Sequence, residues 1–278
     1  MNVSDKKLYH KIITNSYDER SKNYNNSQWH QSLARRLVDN NPPKESFHVL
    51  DIGTGTGAAA FHCASFVGSR GRIIGVDISE GMINKANDLL NLSPIKNLRF
   101  QLADGEDLPF PKSSFDRIYC ASAFFWIANK EQTLTNWLDL LKPGGVVGFH
   151  AWPENAYVFG YIARKVLKRY GIEYIAHSQT GTQEKCYELL NKTGYENINI
   201  IEVEGGHYLT LDEAKDAWIS LDHYPIGQYP HPISNVSSEI LDQAKEEYDA
   251  EMNKLNTEKG VWNNTTMYYV YGCKDIIT

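Results

Sequence analysis

Three aspartates, Asp51, Asp77 and Asp104, are spaced as if each ended a successive strand. The first opens Asp51-x-Gly53-x-Gly55-x-Gly57, preceded by Val49-Leu50 and followed by Ala58-Ala59-Ala60-Phe61-His62. An apolar run, a carboxylate and three alternate glycines describe a buried strand, a tight turn and the start of a helix. Such a turn presents backbone N–H groups and a helix N-terminus to a ligand at the carboxyl end of the strand. Two ligand classes fit. Gly53-x-Gly55-x-x-Ala58 satisfies the dinucleotide fingerprint, with Asp77 placed to hold ribose hydroxyls. Asp51 weighs the other way, because a carboxylate beside the glycines repels a pyrophosphate and suits an ammonium or a sulfonium.

S-adenosylmethionine carries both of those cations. The ordered set Asp51-x-Gly53-x-Gly55-x-Gly57, Val76-Asp77-Ile78-Ser79 and Ala103-Asp104-Gly105-Glu106-Asp107-Leu108-Pro109-Phe110 resembles the class I S-adenosylmethionine-dependent methyltransferases. Within them it is most similar to the small-molecule branch that includes the ubiquinone/menaquinone methyltransferases. The resemblance runs in register over residues 45 to 150 and is loose at the termini. It implies an α/β fold, doubly wound and Rossmann-like: a seven-stranded, mainly parallel sheet with an antiparallel last strand, an N-terminal lid and C-terminal cap insertions. It also implies S-adenosyl-L-methionine as cofactor and S-adenosyl-L-homocysteine as product.

The same resemblance assigns residues to that cofactor. Gly53, Thr54, Gly55, Asp77 and Ile78 would contact it, with Asp77 on the ribose unless it caps a helix. Met82 would pack on the adenine ring or fill core. Asp104 would accept the exocyclic amine while the Gly105 N–H meets a ring nitrogen, the competing view being a surface turn of three acids, Asp104, Glu106 and Asp107. The backbone around Cys120 and Ala121 would face the methionine part. Tyr17 and Tyr24 belong to a segment that either folds over the cofactor as a lid or packs as a surface helix. Many relatives carry a His-Trp pair where this chain has Phe125-Trp126, which removes an imidazole from the rim. Trp126 then walls the pocket or joins the aromatic core.

Periodicity supplies the elements that position these residues. Helical spacing covers residues 32 to 38 and 58 to 67, and residues 72 to 77, 98 to 102 and 115 to 121 read as strands. Ser79 is placed to cap a helix bearing Met82, Ile83, Ala86, Leu89 and Leu90. Lys142-Pro143-Gly144-Gly145 ends a helix and feeds a strand over residues 146 to 150. Beyond His150 the spacing predicts helices over 183 to 192, 211 to 218 and 237 to 256, with Thr210 as a cap. Strands are predicted over 198 to 203 and 266 to 273, the last near an edge, and a loop over 222 to 232. Three segments follow: an N-terminal lid (1–44), a cofactor-binding core (45–150), and cap segments with the remaining strands of the same domain (151–278).

Composition narrows the partners. The 278 residues are 42% hydrophobic and 12% aromatic, enough for a sizeable core. A net charge of −6 argues against nucleic acid or an anionic membrane. Arg164, Lys165, Lys168 and Arg169 read as one solvated helix face, and residues 245 to 251 as an acidic one. Cys63, Cys120, Cys186 and Cys273 are widely separated and predict reduced thiols rather than a metal or redox site. With neither a signal peptide nor a membrane-spanning run in the sequence, a soluble cytoplasmic protein is expected. The sequence leaves the oligomeric state open.

Methyl transfer from a sulfonium needs no metal, and no His/Asp/Glu cluster with metal spacing is visible. A base is needed only for some acceptors. His150, at the carboxyl end of a core strand, is the first candidate and Tyr17 the second. His207, His223 and Tyr224 are further pocket-lining candidates. The expected activity is transfer of a methyl group to O, N or C of a small metabolite by in-line displacement. An NAD(P)-dependent oxidoreductase and a non-catalytic cofactor-binding subunit are the alternatives.

Overall fold

The computed structural model describes residues 3–22, 28–175, 178–218 and 228–276. Helices α1 (Val3–Ser21) and α2 (Gln28–Asp39) lead into an alternation of β1 (His48–Ile52), α3 (Ala58–Val67), β2 (Arg72–Asp77), α4 (Glu80–Asn91), β3 (Leu98–Leu102) and β4 (Phe115–Cys120). A 3₁₀ turn at Phe124–Trp126, α5 (Lys130–Leu140) and β5 (Leu141–Ala151) follow. Then come α6 (Val158–Arg169), α7 (Gln183–Lys192), β6 (Glu196–Val203), β7 (Gly206–Leu209), α8 (Leu211–Asp216), α9 (Ser238–Leu255), β8 (Val261–Asn264) and β9 (Met267–Cys273).

The main sheet has the order β3-β2-β1-β4-β5-β9-β6. Its first five strands are parallel, and β9 runs antiparallel between β5 and β6. This is the doubly wound, seven-stranded architecture expected from the sequence, with the last strand one place in from the edge. Chain order reverses between β1 and β4, so the crevice of the fold opens at the carboxyl ends of those two strands. The strand period of two divides the core. Leu50, Ile118, Val147 and Val270 bury on one face, with Trp137 of α5. Val49, Ile73, Tyr119, Val146 and Tyr269 bury on the other, against α2 and α3. Each fully buried side chain of this size contributes about 1.5–3 kcal/mol, which fixes the register that aims the strand tips.

Helix starts follow their caps. Ser79 accepts from the Met82 N–H (3.1 Å), Thr182 caps α7, Ser237 caps α9, and Thr210 with Glu213 forms a reciprocal box on α8. Several boundaries depart from expectation, α2 starting at Gln28 rather than residue 32 and β6 at Glu196 rather than residue 198. Strand β5 starts at Leu141, because the Pro-Gly-Gly stretch continues as irregular strand, with a register shift against β4 between Phe115 and Arg117. Helix α8 ends at Asp216 rather than at residue 218. A two-stranded ribbon, β7 with β8, was not anticipated, since its two strands lie more than 50 residues apart in sequence. With α6, α8 and α9 the β8 strand closes a third core around Val166, Tyr248 and Met252. Residues after 151 therefore both complete the sheet and build a second apolar centre. Of the loop expected over 222 to 232, residues 222–227 lie outside the described residues. No described helix is long and apolar enough to cross a membrane.

Candidate functional site

At the switch point the glycine turn leaves β1 under α1, and a cavity with about 730 Å³ of empty space lies between them. Gly53 sits at φ +64°, where a Cβ would lie 2.4 Å from that of Ala123. Glycine is therefore what lets the end of β1 meet the segment after β4. Gly53, Gly55, Asp77, Ile78, Asp104, Gly105 and Cys120, seven of the residues that the resemblance assigns to the cofactor, all line the cavity. Tyr17 and Trp126 wall it from the other side.

Each lining aspartate is held by backbone donors. Asp77 accepts the Gly55 N–H on one oxygen (2.8 Å) and the Ser79 N–H on the other (2.9 Å). It thereby braces the glycine turn while Ser79 caps α4, and burial pushes its carboxyl up from the usual range. Every carboxylate oxygen has a second lone pair, so acceptor capacity toward the cavity remains. Asp104 accepts the Glu106 N–H (2.9 Å), and Gly105 is fixed by its carbonyl, which accepts from the Trp137 indole N–H (2.8 Å).

Asp51 takes a different place. It is 1% exposed and lines a smaller adjoining recess with His30, Thr54 and Thr56, which shares the lining residues Gly53, Gly55, Ala121 and Ser122 with the main cavity. Its Oδ2 accepts from the Thr54 hydroxyl (2.6 Å) and the Ala60 N–H (3.1 Å), tying the turn to α3. Its Oδ1 is buried with no partner. Burial pushes this carboxyl up to about 7. Thr54 likewise faces the recess, not the main cavity. Met82 has no exposed surface and is not among the residues lining either space.

His150 does not reach the cavity. It is 1% exposed, stands edge-on to Tyr269, and its Nδ1 accepts the Ser122 N–H (3.0 Å). An acceptor Nδ1 leaves the proton on Nε2, and burial pushes the imidazole down to about 3. The ring holds Ser122 at φ +53°, in the loop that lines both spaces. Its expected position at the end of β5 is correct, yet the side chain turns into the core. His207 lies exposed on β7, away from the cavity lining, and Tyr24, His223 and Tyr224 fall outside the described residues. Cys120 lines the cavity with a thiol that burial pushes well above its ordinary value.

Several lining residues escaped the sequence reading. His10 and Ile13 join the expected Tyr17 on one face of α1, a spacing of three and four residues that was there to be read. Glu106 was grouped with a surface turn, yet it is 8% exposed. It accepts from the Ala128 and Asn129 N–H groups and pairs with Lys6 at 3.2 Å. Burial works to raise its pKa, but His10, the Ala128 N–H and Lys6 outweigh that and hold it at about 2. Trp126 is a pocket wall rather than core. Its indole N–H donates to the Tyr17 hydroxyl (2.8 Å), and its carbonyl accepts from Tyr9 (2.8 Å).

The His10, Asp104 and Glu106 side chains lie close enough to share a metal ion. The Lys6 ammonium on Glu106 argues against one, and so does the His10 ring, which turns both nitrogens toward carboxylates. Among the described lining residues the cavity has three acids, Asp77, Asp104 and Glu106, and neither lysine nor arginine. Such a lining favours a cationic or neutral polar ligand and disfavours phosphate.

A methyltransferase domain family model matches residues 49–145. Aklanonic acid methyltransferase DauC of Streptomyces sp. (strain C5) is 33% identical over 156 residues, covering 55% of this chain and 71% of that protein. The ubiquinone/menaquinone biosynthesis C-methyltransferase UbiE of Cronobacter sakazakii is 30% identical over 194 residues, covering 64% of this chain and 77% of that protein. The crystal structure of YcgJ from Bacillus subtilis superposes with a TM-score of 0.59 at 18% identity, over 88% of this chain and 98% of that one, and so shares the fold.

Proposed function

Because the chain belongs to the class I S-adenosylmethionine-dependent methyltransferases, we propose that its cofactor occupies the cavity under α1 and that a small, largely apolar metabolite receives the methyl group on O, N or C. The residues fit such a ligand. Asp77 aims unused lone pairs at the cavity for the ribose hydroxyls, and Asp104 with Gly105 stands at the adenine end. The recess with the orphaned Asp51 Oδ1 suits the ammonium of the methionine part, next to the backbone of Cys120 and Ala121. Ile78 walls the nucleoside, and α1 serves as the lid.

Bound S-adenosylmethionine supplies a methyl group already activated on a sulfonium, which leaves as a neutral thioether. What remains for the chain is to bind, align and dry the reactants, which is worth up to about 7–11 kcal/mol in well-oriented reactions. Tyr17, Trp126, Ile13 and Ile127 form the apolar wall against which the acceptor lies. His150 takes no proton at neutral pH, since burial and its bond to Ser122 hold it neutral. Any acceptor that must lose a proton therefore meets Tyr17 or water, not His150.

The reading is carried by one observation: Asp77 and Asp104 line the same cavity, with no lysine or arginine among the described lining residues to receive a pyrophosphate. Calorimetric titration tests it. S-adenosylhomocysteine is expected to saturate the protein and NADH is not; saturation by NADH alone reverses the assignment. Screening metabolites for S-adenosylhomocysteine release, with the product identified by mass spectrometry, then names the acceptor atom.

A further inference from the structure

One polar side chain at this cavity, His10, has no part in the binding roles above. His10 of α1 lies between two carboxylates, its Nδ1 3.3 Å from Asp104 Oδ2 and its Nε2 3.2 Å from Glu106 Oε1. Lys6, one helical turn earlier, pairs with the other Glu106 oxygen, and the Tyr9 ring lies 6.0 Å from the imidazole. A neutral imidazole has one N–H, so its second nitrogen would set a lone pair against a carboxylate. Glu106 is a fixed anion, held at about 2 by the contacts described above. Both contacts are satisfied together only when His10 is an imidazolium.

The rest of α1 is fastened elsewhere. Near its C-terminus Asp18 accepts the Ser79 hydroxyl (2.6 Å) and the Gly81 N–H (3.0 Å) at the start of α4. There Gly81 leaves room, since a Cβ would lie 2.7 Å from the Ser21 hydroxyl. In the middle, Tyr9 and Tyr17 grip Trp126. The stretch over Asp104 and Gly105 has the His10 and Lys6 contacts, while Leu8 and Ile12 face outward, 46% and 40% exposed.

We propose that His10 is a positioning residue for the cofactor, an imidazolium that clamps α1 to Asp104 and Glu106 and so fixes the Asp104 carboxylate for the adenine amine. This rests on the cofactor occupying the cavity. Loss of the proton turns one of the two contacts repulsive, loosens α1 around His10 and lets the Asp104 oxygen rotate. The dependence falls on cofactor affinity and not on the rate of transfer, because His10 stands at the adenine end of the cavity.

The full chain, His10→Gln and His10→Arg are titrated with S-adenosylhomocysteine between about pH 5 and 8, the window in which histidines change charge. Wild-type affinity is expected to fall at least about tenfold from the acid to the alkaline end, the scale of a lost charge-assisted hydrogen bond. His10→Gln should bind at least about tenfold more weakly than wild type at the acid end and show no such slope, whereas His10→Arg should keep its affinity to the alkaline end. A second readout needs no ligand: chymotryptic cleavage after Leu8, which is 46% exposed, should at one pH be faster in His10→Gln than in His10→Arg. The proposal is overturned if His10→Gln keeps the wild-type affinity and slope, or if the two variants are cleaved equally fast. If the wild-type chain binds no S-adenosylhomocysteine at any pH, the cofactor reading fails and takes this one with it. Normal wild-type binding with an unchanged His10→Gln profile sinks the clamp alone.

Discussion

The two ends of the parallel strands carry opposite chemistry. At the carboxyl ends lies a cavity with three acids and about 730 Å³ of empty space, and at the amino ends an open groove with about 1540 Å³, open solvent included in both, lined by Arg70, Arg72, Lys96, Arg99 and Lys142 with no acid in its described lining. The groove is the larger, and Phe110 and Phe115 give it an apolar floor. Yet Arg70 is paired with Glu45 and Lys142 with Asp116, and Arg72, Lys96 and Arg99 are exposed side chains on flexible stems. In the cavity Asp77 and Glu106 are each fixed by two backbone N–H groups and Asp104 by one. Volume and charge alone do not make a site; preorganised polar atoms do, since their ordering cost is met during folding.

Substitutions at the two ends can break that contrast. The largest effect is expected at Asp77→Ala, which removes the ribose acceptor and the brace on Gly55. Calorimetry should show S-adenosylhomocysteine affinity down by about 100-fold or more, the scale of two charge-assisted bonds. A loss below tenfold would mean that preorganised acids do not define the cavity.

Next in size is the pH dependence of stability through Asp51. Its folded carboxyl sits at about 7, whereas an unfolded aspartate titrates near about 3.9. The native state holds a proton that the unfolded state has released. Stability therefore falls as pH rises above about 4 and levels off beyond about 7. Denaturant melts of Asp51→Asn should lack that portion of the slope, a difference on the order of a few kcal/mol. A wild-type curve no steeper than the variant's would show that Asp51 is not held protonated.

Gly53→Ala should cost about 1–3 kcal/mol, because alanine is strained at φ +64° and its methyl meets Ala123. A thermal melt unchanged from wild type would deny the close approach of β1 to the loop after β4. His150→Gln should cost about 1–2 kcal/mol of stability through the Ser122 bond and leave the shape of the kcat–pH profile unaltered. An inflection that vanishes in the variant would restore His150 as the base. Smallest of all, Arg99→Ala and Arg72→Ala at the amino-end groove should change cofactor affinity by less than about twofold, as exposed charges beyond a Debye length do.

The readings that survived unchanged are local ones. The ranges of α3, β2 and β3 follow from apolar periodicity and glycine punctuation, and Ser79 caps α4 because a hydroxyl there meets the helix's own N–H groups. Asp77 and Asp104 could be placed because a strand tip and the next turn are close in sequence. The failures are long-range. Glu106 looked like a solvated acid until Lys6, His10 and two amides from residues 128 and 129 closed around it. His150 looked like a base until the pleat turned it inward against Tyr269 and Ser122.

By itself the sequence determined the strand tips, the glycine turn and the acids that follow each strand, since these depend on side-chain period and on backbone conformations that few residues accept. Only the tertiary structure decided which acid faces which space, why Asp51 holds the turn from a side recess, and that one face of α1 closes the cavity. Those outcomes depend on contacts between segments nearly a hundred residues apart and on which groups lose their water, and no local pattern carries that information.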